Sequence, residues 1–174
     1  MIKIAEVFSP NQTSLARMVK QCGIDHVVAG IGLHPIPNAS KDDQPWSYKS
    51  LAHAKSAYED AGFKMAVIES RPPMEKTKLG LPGRDEEIDI ICEMIRNMGA
   101  LDIPVWCPEW MAVLGVIRTS STIPSRGGAF VTGYDHTELR DKPLTDYGII
   151  TDEQMWDNLK YFLERVVPVA EKAN

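Results

Sequence analysis

The sequence predicts an α/β fold built from parallel β/α units. Short β-branched, apolar runs alternate with stretches whose apolar residues recur at helical spacing, in the order β-α-β-α-β-α-β, then a long loop and a last helix. The runs are near-continuously apolar, as strands covered by helices are, rather than alternating as half-solvated strands are. Polar and ionisable residues recur just past the end of all four runs, where ligands sit in parallel α/β folds.

Residues 2–8 form the first run, closed by Ser9-Pro10-Asn11. A helix from Gln12 to about residue 21 ends at Cys22-Gly23, where glycine suits a C-cap. Residues 26–32 make the second strand, and a Pro-rich polar loop over 34–45 leads to a helix over 47–61, stopped by Gly62. Residues 64–70 are the third strand, with the polar residues at its C-terminal end. A second Pro-containing loop follows. Asp85 then opens a helix to about residue 98, with Ile88, Ile91, Cys92, Ile95 and Met98 on one face, and Gly99 ends it. Residues 103–107 form the fourth strand, and a long irregular stretch covers 108–150. Thr151 and Gln154 make a capping box for the last helix, where Pro168 should kink the axis or interrupt one backbone hydrogen bond.

Length and composition bound the rest. The 174 residues suffice for one domain, 1–174, and 44% hydrophobic with 25% charged residues excludes disordered, collagen-like and disulfide-scaffold classes. With 19 Lys and Arg against 24 Asp and Glu, the net charge of −5 offers no basic field for nucleic acid or an anionic membrane. Cys22, Cys92 and Cys107 are widely spaced and odd in number, so they read as free thiols of a reducing cytosol. The first residues make a poor signal peptide, and no apolar run reaches the ~18–20 residues of a membrane span. A cytoplasmic protein is expected.

Two architectures fit the element order: a small doubly wound sheet and part of a (β/α)8 barrel. No glycine-rich dinucleotide fingerprint follows the first strand, which weighs against a cofactor-binding doubly wound sheet. In both, Ser9-Pro10-Asn11, Leu33-His34-Pro35, Glu69-Ser70-Arg71 and Cys107-Pro108-Glu109 stand at the ligand-facing ends. Glu69 offers a carboxylate to a hydroxyl, a metal or a proton; the alternative is an ion pair with Arg71 or Arg84. His34 is either a substrate contact or a solvated loop residue, while His26 and His53 are assigned no function. Cys107, Glu109 and His136 are metal-ligand types whose spacing matches no compact motif, and Cys107 also suits a core position. No nucleophile-elbow pattern supports a Ser/His/Asp triad. The stretch 118–135, with two arginines, hydroxyls and Gly127-Gly128, suits either a lid over an anionic, hydroxyl-rich ligand or an oligomer contact.

Several of these segments resemble the mannonate dehydratase family. Val67-Ile68-Glu69-Ser70 and Lys78-Leu79-Gly80-Leu81-Pro82-Gly83-Arg84-Asp85 resemble that family's third strand and following loop, and the second run is the specific one. Ile95-Arg96-Asn97, Met111, Arg118-Thr119, Gly133-Tyr134-Asp135, and the final helix from Leu159 to Leu163 and Val167 to Glu171 continue the likeness. The resemblance implies a xylose-isomerase-like (β/α)8 barrel, the dehydration of D-mannonate to 2-keto-3-deoxy-D-gluconate in hexuronate breakdown, and a divalent Mn2+ or Fe2+. Such chemistry is coherent. The proton α to a carboxylate is poorly acidic, so a metal stabilises the enediolate while a base removes that proton and an acid protonates the leaving hydroxyl.

The sequence departs from the family in three places. Cys107-Pro108-Glu109 replaces Cys-Tyr-Asn, which makes Glu109 an altered ligand candidate, and Gly115-Val116 replaces an Asp-Trp pair. The third departure is at Asn174, where the family enters a fifth strand ending in His-Pro-Asp-Asp, with its His, Cys and Asp metal ligands beyond. The expectation is therefore about four units, an N-terminal half-barrel with a long loop after its fourth strand, carrying no metal ligand and inactive alone. Glu69, Arg118, Tyr134, His34 and His136 are its expected substrate-binding residues, with a small sugar acid as partner and a homo-oligomer as assembly. Its catalytic residues stay unassigned. A sugar isomerase or epimerase on the same barrel type, or a non-catalytic half-barrel that self-associates through its open sheet edges, are the competing expectations.

Overall fold

The computed structural model describes residues 2–11, 13–113 and 115–173. Four strands, β1 (Ala5–Val7), β2 (His26–Ala29), β3 (Lys64–Ile68) and β4 (Val105–Trp106), form one parallel sheet in the order β1-β2-β3-β4. Helix α1 (Thr13–Gln21) links the first pair and α2 (Tyr48–Asp60) the second. A short α3 (Glu75–Leu79) and the long α4 (Arg84–Ala100) link the third pair, and α5 (Asp152–Ala173) packs against α3 and α4. Sequential strands that neighbour in space and run parallel are the repeating β/α unit.

The local chemistry explains most boundaries. Ser47 caps α2, its hydroxyl accepting from the Ser50 N–H at 3.2 Å. The predicted box at α5 forms: Gln154 Oε1 accepts from Thr151 N at 2.9 Å, and Thr151 Oγ1 from Gln154 N at 3.2 Å. The helix continues through Pro168 to Ala173. The predicted start of α1 at Gln12 lies outside the described residues.

Four expectations are corrected. The first strand is shorter than residues 2–8, because Ile2 and Ile4 lie before the ladder and stay exposed. Residues 75–79 coil into α3, ended by Gly80 at φ 68°, where the Glu75 and Lys78 side chains face each other one turn apart. The stretch 108–150 is not irregular throughout: β5 (Ser120–Pro124) and β6 (Phe130–Gly133) pair antiparallel as a hairpin. Cys107 is exposed rather than core, since it lies just past the β4 ladder.

Two apolar clusters hold the helices to the sheet. Val27, Ala29, Met65 and Ile68 face Phe8, Leu51, Tyr58, Phe63, Met94 and Met98 in the first. The second joins Met74, Ile88, Ile91, Cys92 and Ile95 to Phe162 and Val166, with Trp106 and Trp110 packed on it. A different set stands on the other side of the sheet. Val7 pairs in register with Val28, Val28 with Val67, and Val67 with Val105, one valine per strand. This row belongs to neither cluster, and Val7 and Val105 are 56% and 46% exposed. Ala5, Ala66, Val67 and Val105 line a concavity of about 310 Å3 there. A sheet covered by helices on one face, with an apolar row on the other, is the wall of a barrel seen from inside.

Candidate functional site

The C-terminal ends of β3 and β4 meet in a small cleft. Glu69 N donates to Ala29 O at 3.0 Å and Cys107 N to Ile68 O at 2.9 Å, so both residues emerge directly from the ladder. Ser70 fixes the next turn. Its hydroxyl accepts from Ile31 N at 2.9 Å and its carbonyl from Trp106 Nε1 at 2.8 Å, joining the ends of β2, β3 and β4. Arg71 then reaches across to Glu109 in an ion pair. Glu69, Ser70, Arg71, Cys107, Pro108 and Glu109 line the resulting cleft of about 210 Å3.

The ion pairs considered for Glu69 do not form. Arg71 pairs with Glu109, not Glu69, and Arg84 stacks on the Tyr161 ring at 3.5 Å. The Glu69 carboxylate is exposed at the strand end, and the cleft holds two carboxylates to one guanidinium. Such a rim suits a neutral, hydroxyl-rich portion of a ligand, because a carboxylate accepts from several hydroxyl donors at once.

The other expected residues lie elsewhere. His34 is exposed in the loop after β2. Arg118 precedes β5; its Nε donates to Thr132 Oγ1 at 3.0 Å and its Nη1 to Ile117 O at 3.0 Å. Tyr134 and His136 follow β6, with the Tyr134 hydroxyl 3.0 Å from His136 Nδ1. Next to them Asp135 accepts from the Thr137 hydroxyl and N–H, which hold its carboxyl below the usual range. The five residues thus occupy three places: the cleft, the loop after β2, and the hairpin.

Sequence reasoning missed the ties that hold this region. Lys78 is fully buried; its ammonium donates to Met111 O at 2.7 Å and lies 3.5 Å from Glu75 Oε1. Glu75 Oε2 in turn accepts from Val113 N at 2.7 Å. Asn158 Nδ2 donates to Lys78 O at 2.9 Å and Tyr161 OH to Asp85 Oδ1 at 2.7 Å, so the Lys78–Asp85 run is where α3, α4 and α5 meet. The spacing of Glu75 and Lys78 was a signal of one helical turn, but nothing local announced a buried lysine.

A divalent metal does not fit the described residues. Among them no three His, Cys, Asp or Glu side chains gather closely enough to hold an ion. Glu109, the altered ligand candidate, is instead claimed by Arg71.

Four parallel strands, helices on one face and polar side chains at the strand ends define half of a (β/α)8 barrel. The family model for D-mannonate dehydratase (UxuA) matches residues 2–146, and the chain belongs to that family. A mannonate dehydratase from Streptococcus pneumoniae (strain 70585) is 30% identical over 86% of this chain and 48% of its own length. One from Streptococcus agalactiae serotype Ia is 32% identical, over 72% and 43%. The crystal structure of mannonate dehydratase from Streptococcus suis serotype 2 matches with a TM-score of 0.78 and 27% identity, over 99% of this chain and 50% of that one. A D-psicose 3-epimerase from Clostridium cellulolyticum H10, solved with D-tagatose, matches at 0.54 with 12% identity, a likeness of fold alone. The chain spans about half the length of the curated relatives it matches. Among the described residues no helix is long and apolar enough to cross a membrane.

Proposed function

We propose that this chain contributes the substrate-facing part of a hydro-lyase that dehydrates D-mannonate to 2-keto-3-deoxy-D-gluconate in hexuronate breakdown. The observation that carries the reading is the exposed Glu69 carboxylate beside the Arg71–Glu109 pair, at the strand ends of a chain of this family. Glu69 accepts from substrate hydroxyls. Arg118 takes the sugar-acid carboxylate, where a planar guanidinium offers parallel hydrogen bonds. Tyr134 with His136, and His34, contact the remaining hydroxyls.

The family's divalent metal, manganese or iron, would supply Lewis-acid stabilisation of developing negative charge. We assign its ligands, the base and the acid to the other four units of the barrel, and no step through the metal to this chain. The enzyme works in the cytoplasm as a homo-oligomer and takes no nucleic acid.

The test is product formation from D-mannonate, followed as 2-keto-3-deoxy acid. The chain with Mn2+ or Fe2+ is expected to form none. Mixed with the complementary half of the Streptococcus suis relative, it is expected to form product once the two co-elute. Co-elution without product, or with an epimerised sugar instead, overturns the reading.

A further inference from the structure

Val113 is a β-branched residue at φ 60°, a conformation that L side chains rarely adopt and β-branched ones least of all. Such backbone persists where its surroundings over-determine it. Here two charged side chains of α3 grip the same short segment: Glu75 Oε2 accepts from Val113 N at 2.7 Å, and Lys78 Nζ donates to Met111 O at 2.7 Å. The two are 3.5 Å apart, and Lys78 is wholly buried. Burying an ammonium is costly without partners, and its contacts here are a carboxylate and a carbonyl. One residue pair thus fixes the C=O of Met111 and the N–H of Val113, the two peptide groups that flank Ala112 and lead into the left-handed residue. That residue stands between the end of β4 and the hairpin whose base holds Arg118.

We propose that Glu75 and Lys78 are positioning residues: they hold Val113 in its left-handed turn and so aim the Arg118 hairpin relative to the Glu69 cleft. The pair touches no substrate. Without it Val113 relaxes to extended backbone, and the direction in which the chain leaves β4 toward Arg118 changes. The link to substrate rests on the function proposed above; the grip on the turn does not.

Trypsin cleavage after Arg118, quantified by mass spectrometry at native-like temperature, reads the grip directly. Glu75→Ala is expected to speed that cleavage about tenfold, and Glu75→Gln, which keeps an acceptor, by less. Val113→Gly is the decisive partner, because glycine adopts positive φ without help. Combined with Glu75→Ala, it should bring cleavage back to within about twofold of the parent. Should Glu75→Ala fail to fold, Glu75→Gln with and without Val113→Gly gives the same comparison. Unchanged cleavage, or no rescue by glycine, overturns the proposal. In the complemented enzyme, Glu75→Gln should raise KM for D-mannonate several-fold with kcat held, and Val113→Gly should reverse it. Faster cleavage with an unchanged KM overturns the positioning role. If the complemented parent does not turn over D-mannonate, the proposed function fails, and the cleavage series alone decides the grip.

Discussion

Val67 and Val105 stand opposite each other in the β3–β4 ladder, at the β4 edge of a row that begins with Val7 and Val28. Their neighbour Ile68 points the other way and is fully buried against the helices. Adjacent residues of one strand therefore meet two different environments, as the period of two requires.

This asymmetry predicts unequal costs. Ile68→Ala should destabilise the chain by about 2–4 kcal/mol, through lost burial and a cavity that its packed surroundings cannot close. Val67→Ala, on the open face, should cost less than about 1 kcal/mol. Urea midpoints of the two variants check it, and equal losses would mean that the open face is covered.

Gly80 ends α3 at φ 68°, and a Cβ built there would stand 2.6 Å from Asn158 Oδ1. Gly80→Ala meets both the left-handed backbone and a side chain already bonded to Lys78 O. A loss of about 1–3 kcal/mol is expected, larger than at an open glycine such as Gly127. Thermal melts of the two alanine variants make the comparison.

Burial pushes the Lys78 ammonium below its ordinary 10.5, Arg71 lowers it further, and Glu75 opposes both. The unfolded chain keeps the ordinary value. Between the lowered folded value and 10.5, the unfolded state therefore binds more protons, and stability gains from this residue as pH rises through that window. The cost of the buried charge is full below the window and absent above it. Lys78→Met should remove this contribution, so the parent's stability relative to the variant should improve toward alkaline pH. Denaturant midpoints across that range test the slope; a parallel pair of curves would contradict it.

Arg118 is exposed, so Arg118→Ala should leave stability within about 0.5 kcal/mol of the parent. Under the proposed function it removes a charge-assisted contact to the sugar-acid carboxylate, of about 1.5–3 kcal/mol. KM for D-mannonate in the complemented enzyme should then rise by about tenfold to a hundredfold. Steady-state kinetics beside a thermal melt separate the two effects.

The sequence by itself determined the β/α alternation, the capping box of α5, the glycine stops of α1 and α2 and the apolar face of α4, whereas α4 passes through Gly99, its expected stop, and ends at Ala100. Each depends on residues within a turn or two of chain, where periodicity and capping chemistry act. It also marked Glu69 and Glu109 as strand-end residues and the Lys78–Asp85 run as distinctive. The tertiary structure alone decided that Arg71 takes Glu109 and leaves Glu69 to the cleft, and that Lys78 is buried against Met111. It also decided that one valine row stands outside both helix-packed clusters, with Val67 and Val105 lining an open concavity. These rest on partners about twenty to forty residues apart in chain, whose meeting depends on strand order and crossover geometry. No local period encodes that meeting, and the same charges could have been satisfied by nearer neighbours.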